Sequence, residues 1–155
     1  MEQEDAHIST EVDLPGGKKG MLFCVFDGHG GKEVSQYCEK NFKQEFMDQP
    51  EFKKSNFKEA LRKTFFDLDE KVGKLDYGEE GCTSVVVFFN DSYIWCANAG
   101  DSRAVLSRTD KVQALSEDHK PDNQIETARI EKAGHKVEIE RVDGSLALSR
   151  AIGDF

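Results

Sequence analysis

The tightest constraint on this chain is the run Met21-Leu22-Phe23-Cys24-Val25-Phe26, which stops at Asp27-Gly28-His29-Gly30-Gly31. Six apolar residues in a row read as a strand buried on both faces. A carboxylate at the tip of such a strand sits where water thins out and needs a partner; a divalent cation suits hard oxygen donors. Gly28 has no side chain, so its carbonyl can approach whatever Asp27 holds. His29 is placed to exchange a proton near neutral pH. The same letters also read as a plain turn, with His29 exposed and the two later glycines admitting the chain to a helix. A phosphate-cradling turn is a third reading, but neither GxGxxG nor GxxxxGK[ST] is present.

At 155 residues the chain suits a single domain with a real core. Its net charge of -9 disfavours nucleic acid or an anionic membrane as partner and suits cations. Cys24, Cys38, Cys82 and Cys96 are well separated with no CxxC pair, so small buried thiols are expected rather than a zinc site. Neither a signal-peptide pattern nor an apolar segment of roughly 20 residues is seen, which leads to an expected cytoplasmic or nuclear location. Asn90-Asp91-Ser92 has the form of a glycosylation sequon but reads as a turn.

The acidic opening Met1 to His7 reads either as a solvated tail or as the start of a strand carrying Glu4 and Asp5 to Asp27. Ile8 to Leu14 is strand-like, and Pro15-Gly16-Gly17 turns it antiparallel to the central run. After Gly31, Val34, Tyr37, Cys38, Phe42 and Phe46 fall at helical spacing until Pro50 breaks the pattern. A second helix starts near Asn56, with Glu59 placed for a capping box, and turns Phe57, Leu61, Phe65 and Leu68 inward. Thr83–Phe89, Tyr93–Ala99 and Arg103–Leu106 read as an antiparallel meander, with a short strand over Val112–Leu115. Asn123 and Glu126 suggest another capping box on a helix ending at Gly134. Val137–Val142 and Leu146–Leu148 flank Asp143-Gly144 as a hairpin. Helices that precede the meander, rather than alternating with its strands, indicate an α+β fold.

Six stretches in order give the chain a family resemblance. They are Glu4-Asp5-Ala6-His7, Val25-Phe26-Asp27-Gly28-His29-Gly30-Gly31, Gly81-Cys82-Thr83-Ser84, Asn98-Ala99-Gly100-Asp101-Ser102-Arg103, Asp118-His119-Lys120-Pro121 and Gly144-Ser145-Leu146-Ala147-Leu148-Ser149-Arg150-Ala151-Ile152-Gly153-Asp154-Phe155. Together they resemble the metal-dependent serine/threonine phosphatases of type 2C. The resemblance implies a four-layer α/β/β/α sandwich of antiparallel sheets flanked by helices, present here in part. It also implies hydrolysis of phosphoserine and phosphothreonine in protein substrates, with two manganese or magnesium ions. By motif, Asp27 would bridge both ions, Glu4 and the Gly28 carbonyl would hold one, and Asp5 would order its waters. A hydroxide between the ions would attack phosphorus, and His29 would protonate the leaving oxygen. Asp101 resembles a ligand of a third, looser metal site, or reads as a turn residue. Residues 118–155 resemble a flap bordering substrate, in which Arg150 is expected to make structural contacts.

Two departures accompany the resemblance. The family's phosphate-gripping arginine precedes the Glu-Asp pair, and its later Asp-Gly-x-x-Asp segment and Asp-Asn pair have no counterpart in these residues. The expectation is therefore one incomplete catalytic domain over residues 1–155, monomeric, binding metal weakly and turning over little substrate alone. The alternative is a non-catalytic phosphatase-like module that binds partner or phosphorylated proteins.

Overall fold

A computed structural model describes residues 3–155; Met1 and Glu2, the first part of the acidic opening, lie outside the described residues. The strands and helices follow in the order β1 (Ala6–Asp13), β2 (Lys19–Phe26), β3 (Gly28–His29), α1 (Glu33–Asp48), α2 (Pro50–Lys53), α3 (Phe57–Val72), β4 (Gly81–Cys82), β5 (Ser84–Phe89), β6 (Ile94–Ala99), β7 (Val105–Ser107), β8 (Val112–Ala114), α4 (Gln124–Lys132), β9 (Val137–Glu138), β10 (Arg141–Val142) and β11 (Ile152–Gly153). The fold is α+β. Its main sheet is antiparallel in the order β1-β2-β5-β6, and a small sheet β11-β4-β3 stands at the end of β2.

One face of the main sheet packs on α1 and α3. Leu22, Cys24 and Phe26 from β2 and Val86 and Phe88 from β5 meet Val34, Cys38, Phe42 and Phe46 of α1 and Leu61 and Leu68 of α3. Rings dominate the contact: Phe46 lies 5.2 Å from Phe88 and 4.9 Å from Phe52, and Phe57 lies 5.0 Å from Phe88. Edge-to-face aromatic pairs of this kind add directional packing to the burial of apolar area. Cys24, Cys38 and Cys82 are buried free thiols in this layer.

The central strand is not buried on both faces, contrary to the reading of its unbroken apolar run. Phe23 is 38% and Val25 47% exposed, because the described helices cover only the opposite face of the sheet. Phe23 and Phe89 stack on this open face with ring centres 5.9 Å apart.

Three further expectations change. The meander ends at β6. Gly100 turns the chain out with φ +113°, and β7 pairs only with β8 in a separate ribbon. The expected long strand over 137–142 is itself a tight hairpin: β9 and β10 pair across Ile139 and Glu140, both at positive φ. Two left-handed residues in a row make the twist of a two-residue hairpin turn, normally supplied by Asn or Gly, so the sequence carried no warning. Asp143-Gly144 forms the next turn, closed by a bridge from Val142 to Leu146. Finally, the capping boxes are only half formed. Asn56 accepts from the Glu59 N–H and Asn123 from the Ile125 N–H, but Glu59 turns to Arg62 and Glu126 turns inward.

Candidate active site

The site forms where β2 ends. The β1–β2 register ends at Ala6 and Phe26; just beyond it the Asp5 carboxyl neighbours that of Asp27 and the Glu4 carbonyl lies against Gly28. The Ser35 hydroxyl, in the first turn of α1, lies within hydrogen-bond reach of the Glu4 and Lys32 carbonyls, sharing its one proton between them, and ties this approach to the helix. A Cβ on Gly28 would collide with the Glu4 carbonyl, so here the absent side chain is a packing requirement.

Asp27 is fixed from its other side. The Thr83 N–H donates to the Asp27 carbonyl at 2.9 Å, and the Thr83 hydroxyl pairs with that of Ser102 at 2.7 Å. Gly100 passes against the Thr83 side chain, where a Cβ would have no room, and this brings Asp101 to the same end of the sheet. His119 and Asn98 brace that turn: the Gly100 N–H donates to His119 Nδ1 at 3.2 Å, and Asn98 Nδ2 donates to the Gly100 carbonyl at 3.1 Å.

Asp27, His29, Thr83 and Asp101 then line one pocket of about 290 Å³, facing Arg141 and the 145–148 loop. A larger groove of about 750 Å³ runs between α3, β6 and residues 149–154 but contains none of Asp27, His29 or Asp101. The smaller one gathers Asp27, His29 and Asp101.

Electrostatics sets these groups apart from ordinary surface acids. Burial, together with the neighbouring Asp5 and Asp101 carboxylates, pushes the Asp27 carboxyl above its usual range, and His29 offsets only part of this. His29 Nε2 lies 2.7 Å from Asp154 Oδ1. That bond, aided by the charges of Asp154, Asp27 and Glu4, raises the imidazole's pKa against the opposing effect of burial. Asp101 pairs with Lys120 at 2.7 Å.

Asp154 is the His29 partner that residue-by-residue reading missed. It stands 125 positions from His29 and arrives through the β11-β4-β3 sheet, where Gly81 admits both side chains. A Cβ on Gly81 would lie 2.5 Å from Asp154 Oδ1 and 2.7 Å from His29 Nε2. A glycine paired across a small sheet from a histidine was the only available signal. Arg150 reaches Glu126 with two hydrogen bonds of 2.9 and 2.7 Å, joined by Arg129 and Ser149. This network ties residues 149–150 to α4 and leaves the Arg150 guanidinium occupied by Glu126.

The donors suit a hard divalent cation: carboxylates of Asp27, Asp5 and Glu4 and the carbonyl of Gly28, with the repulsion around Asp27 unrelieved by any lysine or arginine paired to it among the described residues. Among the described residues, however, no three His, Cys, Asp or Glu side chains already converge as a metal cage.

Both the sequence and the fold match known proteins. The family model for protein phosphatase 2C matches residues 1–155. A probable protein phosphatase 2C of Caenorhabditis elegans is 44% identical over 100% of this chain and 44% of its own length. Protein phosphatase 2C homolog 2 of Schizosaccharomyces pombe is 47% identical over 86% of this chain and 37% of its own length. The solved structure of a C. elegans sex-determining protein superposes with a TM-score of 0.86 at 27% identity, covering 99% of this chain and 41% of that one. The chain belongs to the protein phosphatase 2C family. It spans about half the length, or less, of these relatives. Among the described residues no helix is long and apolar enough to cross a membrane.

Proposed function

We propose that residues 1–155 are the first part of one protein serine/threonine phosphatase domain, acting on phosphoserine and phosphothreonine in protein substrates. The observation that supports this reading is the Asp27 carboxyl standing beside those of Asp5 and Asp101 at one strand end, next to a histidine held by Asp154. Glu4, Asp5, Asp27 and the Gly28 carbonyl would hold manganese or magnesium, with Asp101 as a donor to a looser ion once released from Lys120. When bound, such ions supply charge neutralisation on the phosphoryl group and a nucleophile from water at neutral pH.

The remaining work falls to the chain's own groups. Asp154 takes a hydrogen bond from His29 Nε2, which orients the ring and stabilises its protonated form. The ring's other nitrogen is then the one free to deliver a proton to the departing serine or threonine oxygen. Thr83, paired with Ser102, holds the Asp27 backbone in place. The same reading takes the protein as a monomer of cytoplasm or nucleus that works on phosphoprotein and not on nucleic acid, in keeping with a net charge of -9.

The test is phosphate release from a phosphothreonine peptide by the purified chain, with manganese, magnesium or a chelator. Slow release that needs metal and disappears in Asp27→Asn supports the enzyme reading. Peptide binding without any metal-dependent release supports the non-catalytic module instead.

A further inference from the structure

The wall of the 290 Å³ pocket opposite Asp27 and His29 carries Arg141. Among the described residues it is the one lysine or arginine lining that pocket; Lys120 is outside the lining and pairs with Asp101. The Arg141 guanidinium donates through Nη1 to the Ser145 carbonyl at 2.6 Å, and among the described residues no carboxylate pairs with it. Arg103, Arg129 and Arg150 each hold a carboxylate, whereas Arg141, like the distant-in-sequence Arg108, holds none among the described residues; of these two only Arg141 lines the pocket.

The placement of Arg141 is built. The β9–β10 turn puts Ile139 and Glu140 at φ 52° and 60°, and Asp143 follows at 49°. The Asp143 carboxylate accepts from the Lys136 N–H at 2.9 Å and meets His135 Nδ1 at 2.7 Å, while the Asp143 N–H donates to the Lys136 carbonyl at 2.8 Å. These ties fix the hairpin that presents Arg141 to the pocket, with Nη1 anchored and the Nε and Nη2 donors left over.

A planar guanidinium fork matches two oxygens of a tetrahedral oxyanion, and charge-assisted pairs of this geometry are the stronger kind. We propose that Arg141 is the anion-reading residue of this pocket, binding two non-bridging oxygens of a phosphate monoester that sits between the 141–148 loop and the Asp27–His29 wall. The inference rests on the reading of the pocket as a phosphate-ester site. It adds a substrate contact from the loop side, and it makes the hairpin part of the site.

The test follows the Arg141 Nε–H resonance of the isotope-labelled chain, in the presence of magnesium, during titration with inorganic phosphate. Acetate and sulfate serve as comparison anions, and Arg141→Ala and Arg141→Lys as variants. The proposal expects a saturable shift at Arg141 with phosphate, a weaker response to acetate, and phosphate affinity reduced about tenfold or more in Arg141→Ala. Arg141→Lys should recover only part of that loss. Backbone amide spectra establish that each variant is folded. An unmoved Arg141 signal, an equal response to acetate, or a shift that never saturates would overturn the proposal. Saturable phosphate binding by a chain that releases no phosphate from peptide sinks the hydrolase reading alone; metal-dependent release with Arg141→Ala unaffected sinks this inference alone.

Discussion

Substituting Gly28 by alanine is the sharpest structural perturbation of the site. Its Cβ would press on the Glu4 carbonyl, backbone rather than a movable side-chain end, and come within 3.1 Å of Ser35 Oγ. Carbon and oxygen are comfortable at roughly 3.5 Å, so the strand bearing Glu4 must back away by about an ångström. Overpacking of a close-fitted position costs about 1–3 kcal/mol. Retreat of Glu4 also breaks the Ser35 hydrogen bond, adding about 1 kcal/mol. Loss of glycine's freedom in the unfolded chain returns about 0.5 kcal/mol. The net expectation is a destabilisation of about 1.5–3.5 kcal/mol, or a melting temperature lower by roughly 3–14 °C for a domain of this size. Urea unfolding followed by Trp95 fluorescence measures it. Gly31→Ala is the comparison, because the atoms nearest its Cβ belong to the Glu80 carboxyl, a side-chain end that can move at the expense of its bond to the Glu33 N–H; it should cost about 1 kcal/mol. If Gly28→Ala changes stability by less than about 0.5 kcal/mol, Glu4 does not sit against Gly28 and the reasoning fails.

Other outcomes follow from the same geometry. Glu126 is 3% exposed; burial alone would raise its pKa, but Arg150, Arg129 and Ser149 outweigh it and hold the carboxyl down at about 2. Its stabilisation is present above the ordinary value of 4.5 and drains away as pH falls toward 2, so Glu126→Gln should flatten acid unfolding in that window, removing on the order of 2–3 kcal/mol at neutral pH. Asp154→Ala should return His29 to a lower titration midpoint in NMR; the stability lent by the raised pKa, full below the ordinary 6.5 and lost as pH climbs through the elevated value, should vanish with it. Gly81→Ala should do the same with both partners intact, by wedging them apart. In metal-free buffer Asp27→Asn should raise the melting temperature, since a carboxyl with an elevated pKa costs stability as pH rises through and beyond that range.

What the letters could reveal depended on how locally each feature is specified. The two long helices were legible because the apolar positions of Phe42, Phe46, Leu61 and Leu68 repeat within a few residues. The strand to Asp27 was legible as a strand but not in its exposure, since an apolar run says nothing about which neighbours are present to cover it; Phe23 and Val25 face outward. Placing Asp5 beside Asp27 needed only the turn at Gly16-Gly17 and an antiparallel register. Asp154 and Arg141 lie more than a hundred residues downstream and reach the pocket through short strands of two residues, too brief for any periodic signature. The Ile139-Glu140 turn was hidden because neither residue favours positive φ; the pairing of β9 with β10 imposes it.

Paramagnetic broadening by manganese tests the central claim most directly. Titrating substoichiometric manganese into the labelled chain should erase the amide signals of Glu4, Asp5, Asp27, Gly28 and His29 first, with Asp101 next, and should leave them untouched in Asp27→Asn. Broadening centred instead on Glu33, Glu79 and Glu80, or spread evenly over the acidic surface, would contradict a metal site at the end of the central strand.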